Sequence, residues 1–434
     1  MNNKKQCRFA VLAGGLVALL GFQAPLVVAQ EDAASDSAPQ EAASQETAAQ
    51  DGFTREDDSR NPFSFSASQT FGHNNNVFGL HDSVSNADAP KGKRGDTYSI
   101  TNVGVNFDGQ RSRQAFHAGL SLSQTLYRKH TNLNNTSGNA NLGWDWRVGD
   151  RWSGVLGYSY GERSVEYRDM YGVQDKVMRR IGRANVKADF WWHPNWATGV
   201  GFSDVRSDYR NDFRPHEKYN AQEVSANLTY RPSTGNRIIL SLIAEEGQYP
   251  NRDKVQGSLR DWERRDARLS AQWQLTGVTR LDGYVGYTQR KYDLAPERNF
   301  SGVTGKIGFH WVPTAKAIID LSWRREIGAD ADAVSNFAVT QAWSVQPTWV
   351  VTSKVRLGAS YEYLDRNYRG DPGIVSSDLP RDSKTTSYGA NIQYLPTSSA
   401  NITLSYQHQK RDSANYSHWD YSARIVWLTG RLTF

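Results

Sequence analysis

From about residue 61 to the C-terminus the chain repeats one pattern, segments of about ten residues in which apolar and polar side chains alternate. Ala140, Leu142, Trp144 and Trp146 form one such set, and Val186, Ala188, Phe190 and Trp192 form another. Val224, Ala226, Leu228 and Tyr230 follow, then Val303, Ile307, Phe309 and Trp311. Val355, Leu357, Ala359 and Tyr361, and later Ile402, Leu404 and Tyr406, continue the series. Successive side chains of a strand point to opposite faces, so the pattern predicts β-strands with one apolar face. A soluble sandwich would alternate in the same way.

The turns separate the two cases. Short polar turns are expected near Gln110-Arg111, Gly149-Asp150, Pro194-Asn195, Ser233-Thr234-Gly235, Gly277-Val278, Thr314-Ala315, Ser353-Lys354 and Ser398-Ser399, about forty residues apart. Between them lie longer polar connections such as 74–94, 168–178 and 369–381. Tight turns at one end and long loops at the other predict an all-β, antiparallel up-and-down transmembrane barrel of about 18 strands, with 16 as the alternative. Its place is the Gram-negative outer membrane, with both termini in the periplasm. The last outward residue before most tight turns is a large aromatic: Phe107, Trp146, Trp192, Tyr230, Trp273, Trp311 and Tyr394. These are expected to form an aromatic girdle at the periplasmic interface. Pro194, Pro232, Pro313 and Pro396 sit just past four of them, where a strand has to stop.

Composition agrees. The mean hydropathy of −0.67 is too polar for a helical membrane protein, while Trp, Tyr and Phe reach 12%. Residues 1–29 read as a signal peptide for Sec-dependent export: a basic start at Lys4, Lys5 and Arg8, an apolar stretch over 9–22, and Val27-Val28-Ala29 before a cut at Gln30. Cys7 is the single cysteine and lies ahead of the apolar stretch, so the mature chain has none. A secreted chain of this size without disulfides needs another closure, and a hydrogen-bonded barrel supplies it. Residues 30–60 carry nine acids, two bases and little to bury, and read as a disordered acidic periplasmic leader. The barrel, residues 61–434, then holds 46 Lys and Arg against 36 Asp and Glu. A basic body suits anionic lipopolysaccharide outside or an anionic cargo inside.

The polar phase of the strands carries the candidate chemistry. Arg147, Arg183, Lys187, Arg231, Arg268, Lys306, Arg324, Arg356 and Arg431 are expected to line the lumen, with Arg163, Arg264 and Arg290 on the same phase. Asp145, Asp189, Glu223, Asp266, Asp282, Asp320 and Glu362 accompany them. About eighteen strands leave an interior too wide for side chains alone to fill. A wide lumen with an arginine excess passes polar solutes and lowers the barrier for anionic ones. Cross-strand pairing of the same charges would stiffen the wall.

Enzymatic signals are weak. Gly157-Tyr158-Ser159-Tyr160-Gly161 has the spacing of a nucleophile elbow but lies in an alternating strand rather than at a strand-to-helix turn. His117 and Ser121 form a possible inward pair of the kind barrel phospholipases use, and Asp330 with Asp332 offers two loop carboxylates to a cation. The nine histidines are scattered without metal-ligand spacing, so no metal, no cofactor and no enzymatic activity is expected.

The final strand alternates through Val426, Leu428, Gly430 and Leu432 to Phe434, and so resembles the C-terminal signal read by the barrel assembly machinery. The opening of the barrel, from Phe63-Ser64-Phe65 through Thr70-Phe71-Gly72-His73-Asn74-Asn75-Asn76-Val77-Phe78-Gly79-Leu80, resembles the EpsL-type outer-membrane proteins of exopolysaccharide biosynthesis. Asn74 and Asn75 stand where that family tends to carry acids, and Gly79 where it carries Arg. Gly95-Asp96-Thr97-Tyr98, Arg113-Gln114-Ala115-Phe116 and Gly143-Trp144-Asp145-Trp146 extend the likeness. The resemblance implies passive export of an exopolysaccharide cargo, alongside a periplasmic polysaccharide-export protein and with no nucleic-acid partner. The residues by themselves leave open a general or solute-specific diffusion porin, or a structural or adhesive barrel.

Overall fold

The computed structural model describes residues 61–165, 176–210, 215–232, 235–255, 259–329, 337–370 and 381–434. Among the described residues the chain forms eighteen strands and, besides them, only short 3-10 turns. The strands are β1 (Phe63–Asn74), β2 (Asp96–Arg111), β3 (Gln114–Tyr127), β4 (Asn135–Val148), β5 (Trp152–Val165) and β6 (Val177–His193). Next come β7 (Trp196–Tyr209), β8 (Tyr219–Tyr230), β9 (Arg237–Gln248), β10 (Asp261–Thr276), β11 (Thr279–Tyr292) and β12 (Phe300–Thr314). The last six are β13 (Ala317–Ala329), β14 (Phe337–Val350), β15 (Val355–Arg369), β16 (Ser383–Tyr394), β17 (Ala400–Ser413) and β18 (Tyr421–Thr433).

Each strand pairs antiparallel with its neighbours in sequence, and β1 also pairs with β18 over Ser66–Asn74, so the sheet closes into a barrel. The C-terminal residue completes the seam: Phe65 N–H donates to the Phe434 carbonyl at 3.0 Å, and Phe434 N–H donates to Phe65 at 2.8 Å. Even-to-odd connections are short and gather at one end with both ends of the described barrel. Odd-to-even connections are longer and gather at the other. We call these the turn end and the loop end. The first tight turn falls at Ser112-Arg113, two residues later than expected, because β2 runs on through Arg111 and Ser112 takes the positive φ of 56° that reverses the chain. Residues 1–60, the Ser233-Thr234 turn and the carboxylates Asp330 and Asp332 lie outside the described residues.

Burial is inverted relative to a soluble protein. Leu142, Val200 and Leu242 point outward and are 59%, 63% and 57% exposed, whereas inward Ile425 and Trp262 are 1% and 2% exposed. A continuous apolar outer belt of this size is stable only against lipid. The seven expected girdle residues all fall on the outward phase near the turn end, where Phe107 meets Phe63 at 5.0 Å, Trp192 meets Trp196 at 6.0 Å and Tyr230 meets Trp196 at 4.5 Å.

At the loop end the chain covers its own inner wall. The first loop, L1 (75–95), brings Val77 and Phe78 against Leu133 of L2 (128–134) and inward Tyr127. Tyr249 and Leu259 of L5 (249–260) and Ala295 of L6 (293–299) pack against inward Tyr219, Trp262, Tyr292 and Phe300. Gly247 makes room for this: the Trp262 indole ring occupies the space that a Cβ at Gly247 would fill. Gly247→Ala is expected to displace Trp262 and cost about 1–3 kcal/mol. A lower temperature of heat-induced mobility change on electrophoresis than for the native barrel would register the loss, and an unchanged one would exclude this packing role.

Candidate functional site

The inner wall is the candidate site. All nine expected lumen cations fall on the inward phase, because the strand register keeps the alternation in step around the barrel. They do not form one cluster. Arg268 lies on β10 four residues from a row on β8–β11, where Glu223 pairs across with Glu245, Glu245 with Arg264, and Arg264 with Arg290. Arg264, only 5% exposed, reaches Glu245 at 2.9 Å, Glu223 at 3.2 Å and Asp266 at 3.3 Å. Arg268 reaches Asp266 at 2.9 Å and lies over the Tyr284 ring at 5.0 Å. The Trp262 indole N–H donates to Glu245 at 3.2 Å, and Arg290 sits 4.5 Å above the same ring. Opposite charges thus neutralise one another along this stretch, as a buried guanidinium requires.

Lys306 stands directly across from Arg324, whose guanidinium is 3.7 Å from Glu362. Arg356 and Arg431 stand apart, opposite the amides Gln393 and Asn401. Arg183 faces Ser159 and Val205. Arg147, Lys187 and Arg231 converge at the turn end on a cavity of about 540 Å³ that Trp191 and Arg237 also line. Lys187 lies 3.7 Å from Asp189.

Sequence reasoning missed several members of this wall. Glu245 is followed by Glu246 and Trp191 by Trp192, so identity alone could not show which of each pair faces in. Trp191 keeps the inward phase of Lys187 and Asp189, and the β6–β7 register shifts only beyond it, between Trp191 and His193.

The expected pair of His117 with Ser121 does not form a catalytic unit. Both are inward on β3, but four residues of strand hold them roughly 13 Å apart along its axis. His117 instead lies between two carboxylates, 2.7 Å from Asp108 and 3.3 Å from Asp145. Ser159 lies within β5 and not at an elbow.

Two of the segments that carry the EpsL-type resemblance, 73–80 and 95–98, meet at the L1–L2 junction, where they hold backbone. The Asn74 side chain accepts from Asn76 N–H at 2.8 Å, and that of Asn75 from Arg424 N–H at 2.7 Å. Asn76 donates to the Leu80 and Ser422 carbonyls at 2.8 and 2.9 Å. Asp96 accepts from Thr97, Lys129 and His130 N–H and lies 2.9 Å from His130 Nδ1, with both side chains fully buried. A second tie joins L1 to β18. Burial works against ionising Asp82, but hydrogen bonds from Ser422 and then Arg94 outweigh it and hold the carboxyl below its usual range. The tie is therefore present above the ordinary carboxylate pKa and is lost as pH falls through the lowered one.

Residues 76–434 match the model of the family described as "Putative beta-barrel porin 2". The chain belongs to that family. This porin-family barrel is similar in structure to OpdK from Pseudomonas aeruginosa, at 12% identity and a TM-score of 0.45 over 86% of this chain and 99% of that one. It is also similar to OccAB3 from Acinetobacter baumannii, at 9% identity and 0.45 over 86% and 98%. A BenF-like porin from Pseudomonas fluorescens Pf-5 matches at 12% and 0.46 over 86% and 98%. At such identities nothing about their solutes carries over. No curated protein matches the sequence.

In this porin-family barrel, Asp96→Asn is expected to loosen L2 from L1 by about 3 kcal/mol, since it leaves a buried partner uncompensated. Limited trypsin digestion should then cut faster after Lys91 and Lys93 while the strands stay resistant. Unchanged cleavage would mean the Asp96–His130 pair does not hold the loops.

Proposed function

We propose that the protein is a solute-selective diffusion porin of the outer membrane, passing small polar solutes through its charged lumen without chemical change. What carries this reading is the inner wall. Fixed guanidinium groups and carboxylates run along it from the turn end to the loop end, while L1, L2, L5 and L6 cover it at the loop end. An eighteen-strand barrel left unfilled would expose its inner side chains to water. Here inward Arg264, Arg290 and Arg366 are 5%, 2% and 3% exposed, so the passage is narrowed where they sit. A hydrated path of that kind suits solutes of metabolite size. Membership of a porin family supports the same class.

A second reading is export of an exopolysaccharide handed on by a periplasmic polysaccharide-export protein. That reading rests on the likeness of the 73–80 and 95–98 segments to the EpsL-type proteins. Sec-dependent secretion and insertion by the barrel assembly machinery through the Phe434 strand, into a lipopolysaccharide leaflet, belong to either reading.

Purified protein in planar bilayers is expected to give discrete conductance steps in potassium chloride. A gene deletion should slow uptake of small polar solutes and leave secreted polymer unchanged. Silent bilayers would point to a structural or adhesive barrel, and loss of polymer with normal uptake to export.

A further inference from the structure

The turn-end cavity differs from the β8–β11 stretch of the inner wall in its charge balance. Along β8–β11, Arg264 and Arg268 each have carboxylates within reach. Around the cavity, six Lys and Arg side chains meet three aspartates. Those three each have a cationic or histidine neighbour: Asp150 is 2.8 Å from Arg113, Asp189 is 3.7 Å from Lys187, and Asp145 is 3.3 Å from His117.

One of the cations is mounted rigidly. The backbone N–H of Arg231 donates to the Asn195 carbonyl at 2.8 Å, and its guanidinium lies 4.4 Å over the Trp191 ring. Trp191 is fixed in turn, with its backbone N–H on the Arg151 carbonyl at 2.7 Å and its indole N–H on Ser153 Oγ at 2.9 Å. A guanidinium stacked on an indole keeps its N–H edge free of entropy loss when a planar partner arrives. Desolvation in the cavity, and then repulsion from Arg147 and Arg237, hold the Arg231 pKa below its ordinary value. Three guanidinium groups therefore crowd one space, and an incoming anion would relieve that repulsion.

We propose that Arg147, Arg231 and Arg237, with Lys187 beside them, form a binding site at the turn end for a small organic oxyanion, a carboxylate or phosphate on a skeleton of monosaccharide size. The fork geometry of the arginines matches either oxyanion, and about 540 Å³ holds one such molecule. The site makes the two mouths unequal: solute anions collect at the turn end, which faces the periplasm in barrels of this build. It rests on the diffusion-porin reading for its role, but not for its chemistry.

The test uses the full-length barrel in detergent and in bilayers. Gluconate and glucose 6-phosphate are titrated against glucitol, the uncharged control, by calorimetry. Arg231→Gln and Arg237→Gln are compared with Arg231→Lys, and heat-modifiable mobility checks that each variant folds. Binding of at least one oxyanion but not glucitol is expected, weakened about tenfold by each Gln variant and less by Arg231→Lys. Whether gluconate, the phosphate or both bind identifies the group recognised. In bilayers, a potassium chloride gradient should give an anion-selective reversal potential that moves toward zero in the Gln variants. No oxyanion binding, or binding equal to that of glucitol, overturns the site even if the barrel conducts. Specific binding in a barrel that does not conduct leaves the site standing and overturns the diffusion-porin reading.

Discussion

Closure of the sheet is the constraint on which everything else depends. Lipid offers no partner to a backbone N–H or C=O, so every strand in the bilayer must find both neighbours within the protein. The seam between β1 and β18 meets that demand, and the hydrogen bonds between Phe65 and Phe434 extend it to the last residue of the chain. A sheet with that seam open would present two unpaired edges to hydrocarbon. Once it is closed, the period of two assigns every side chain to lipid or to the lumen, and the register carries the assignment from strand to strand.

That assignment explains why so many charges are tolerated inside. The apolar outer belt supplies the membrane contact, which leaves the inner wall free of any requirement to be hydrophobic. Even so, a guanidinium that is closed off from water needs compensation. Arg264 has it from Glu245, Glu223 and Asp266, and the indole of Trp262 both donates to Glu245 and lies beneath Arg290. Along β8–β11 the loop end is thus built as a near-neutral, packed wall. The turn end carries an excess of cations over a cavity. One architecture holds two electrostatic regimes, separated along the axis.

L1 and L2 owe their placement to buried polar groups more than to apolar area. L1 and L2 bury Val77, Phe78 and Leu133, a small cluster. Around it, Asn74, Asn75, Asn76, Asp96 and His130 satisfy backbone donors and acceptors that an irregular segment would otherwise leave unpaired. Asparagine suits position 76 because one amide both donates and accepts, as Asn76 does with Leu80. A carboxylate at position 76 could only accept.

Alternation and turn spacing determined by themselves the barrel, the outward girdle from Phe107 to Tyr394 and the inward phase of all nine lumen cations, and left the strand number between sixteen and eighteen. They do so because in a strand the face is set locally, by counting in twos. Which inward charges meet was decided by tertiary structure. Glu223, Glu245, Arg264 and Arg290 come from four strands, and they share a row only through the register of three hairpins. Trp191 follows the inward count of Lys187 and Asp189, but its stacking with Arg231 joins residues of different strands, which no count in twos would show. The folding of L1, L5 and L6 over the inner wall was likewise invisible in the sequence, because it rests on contacts between residues far apart in the chain, such as Asn76 with Ser422.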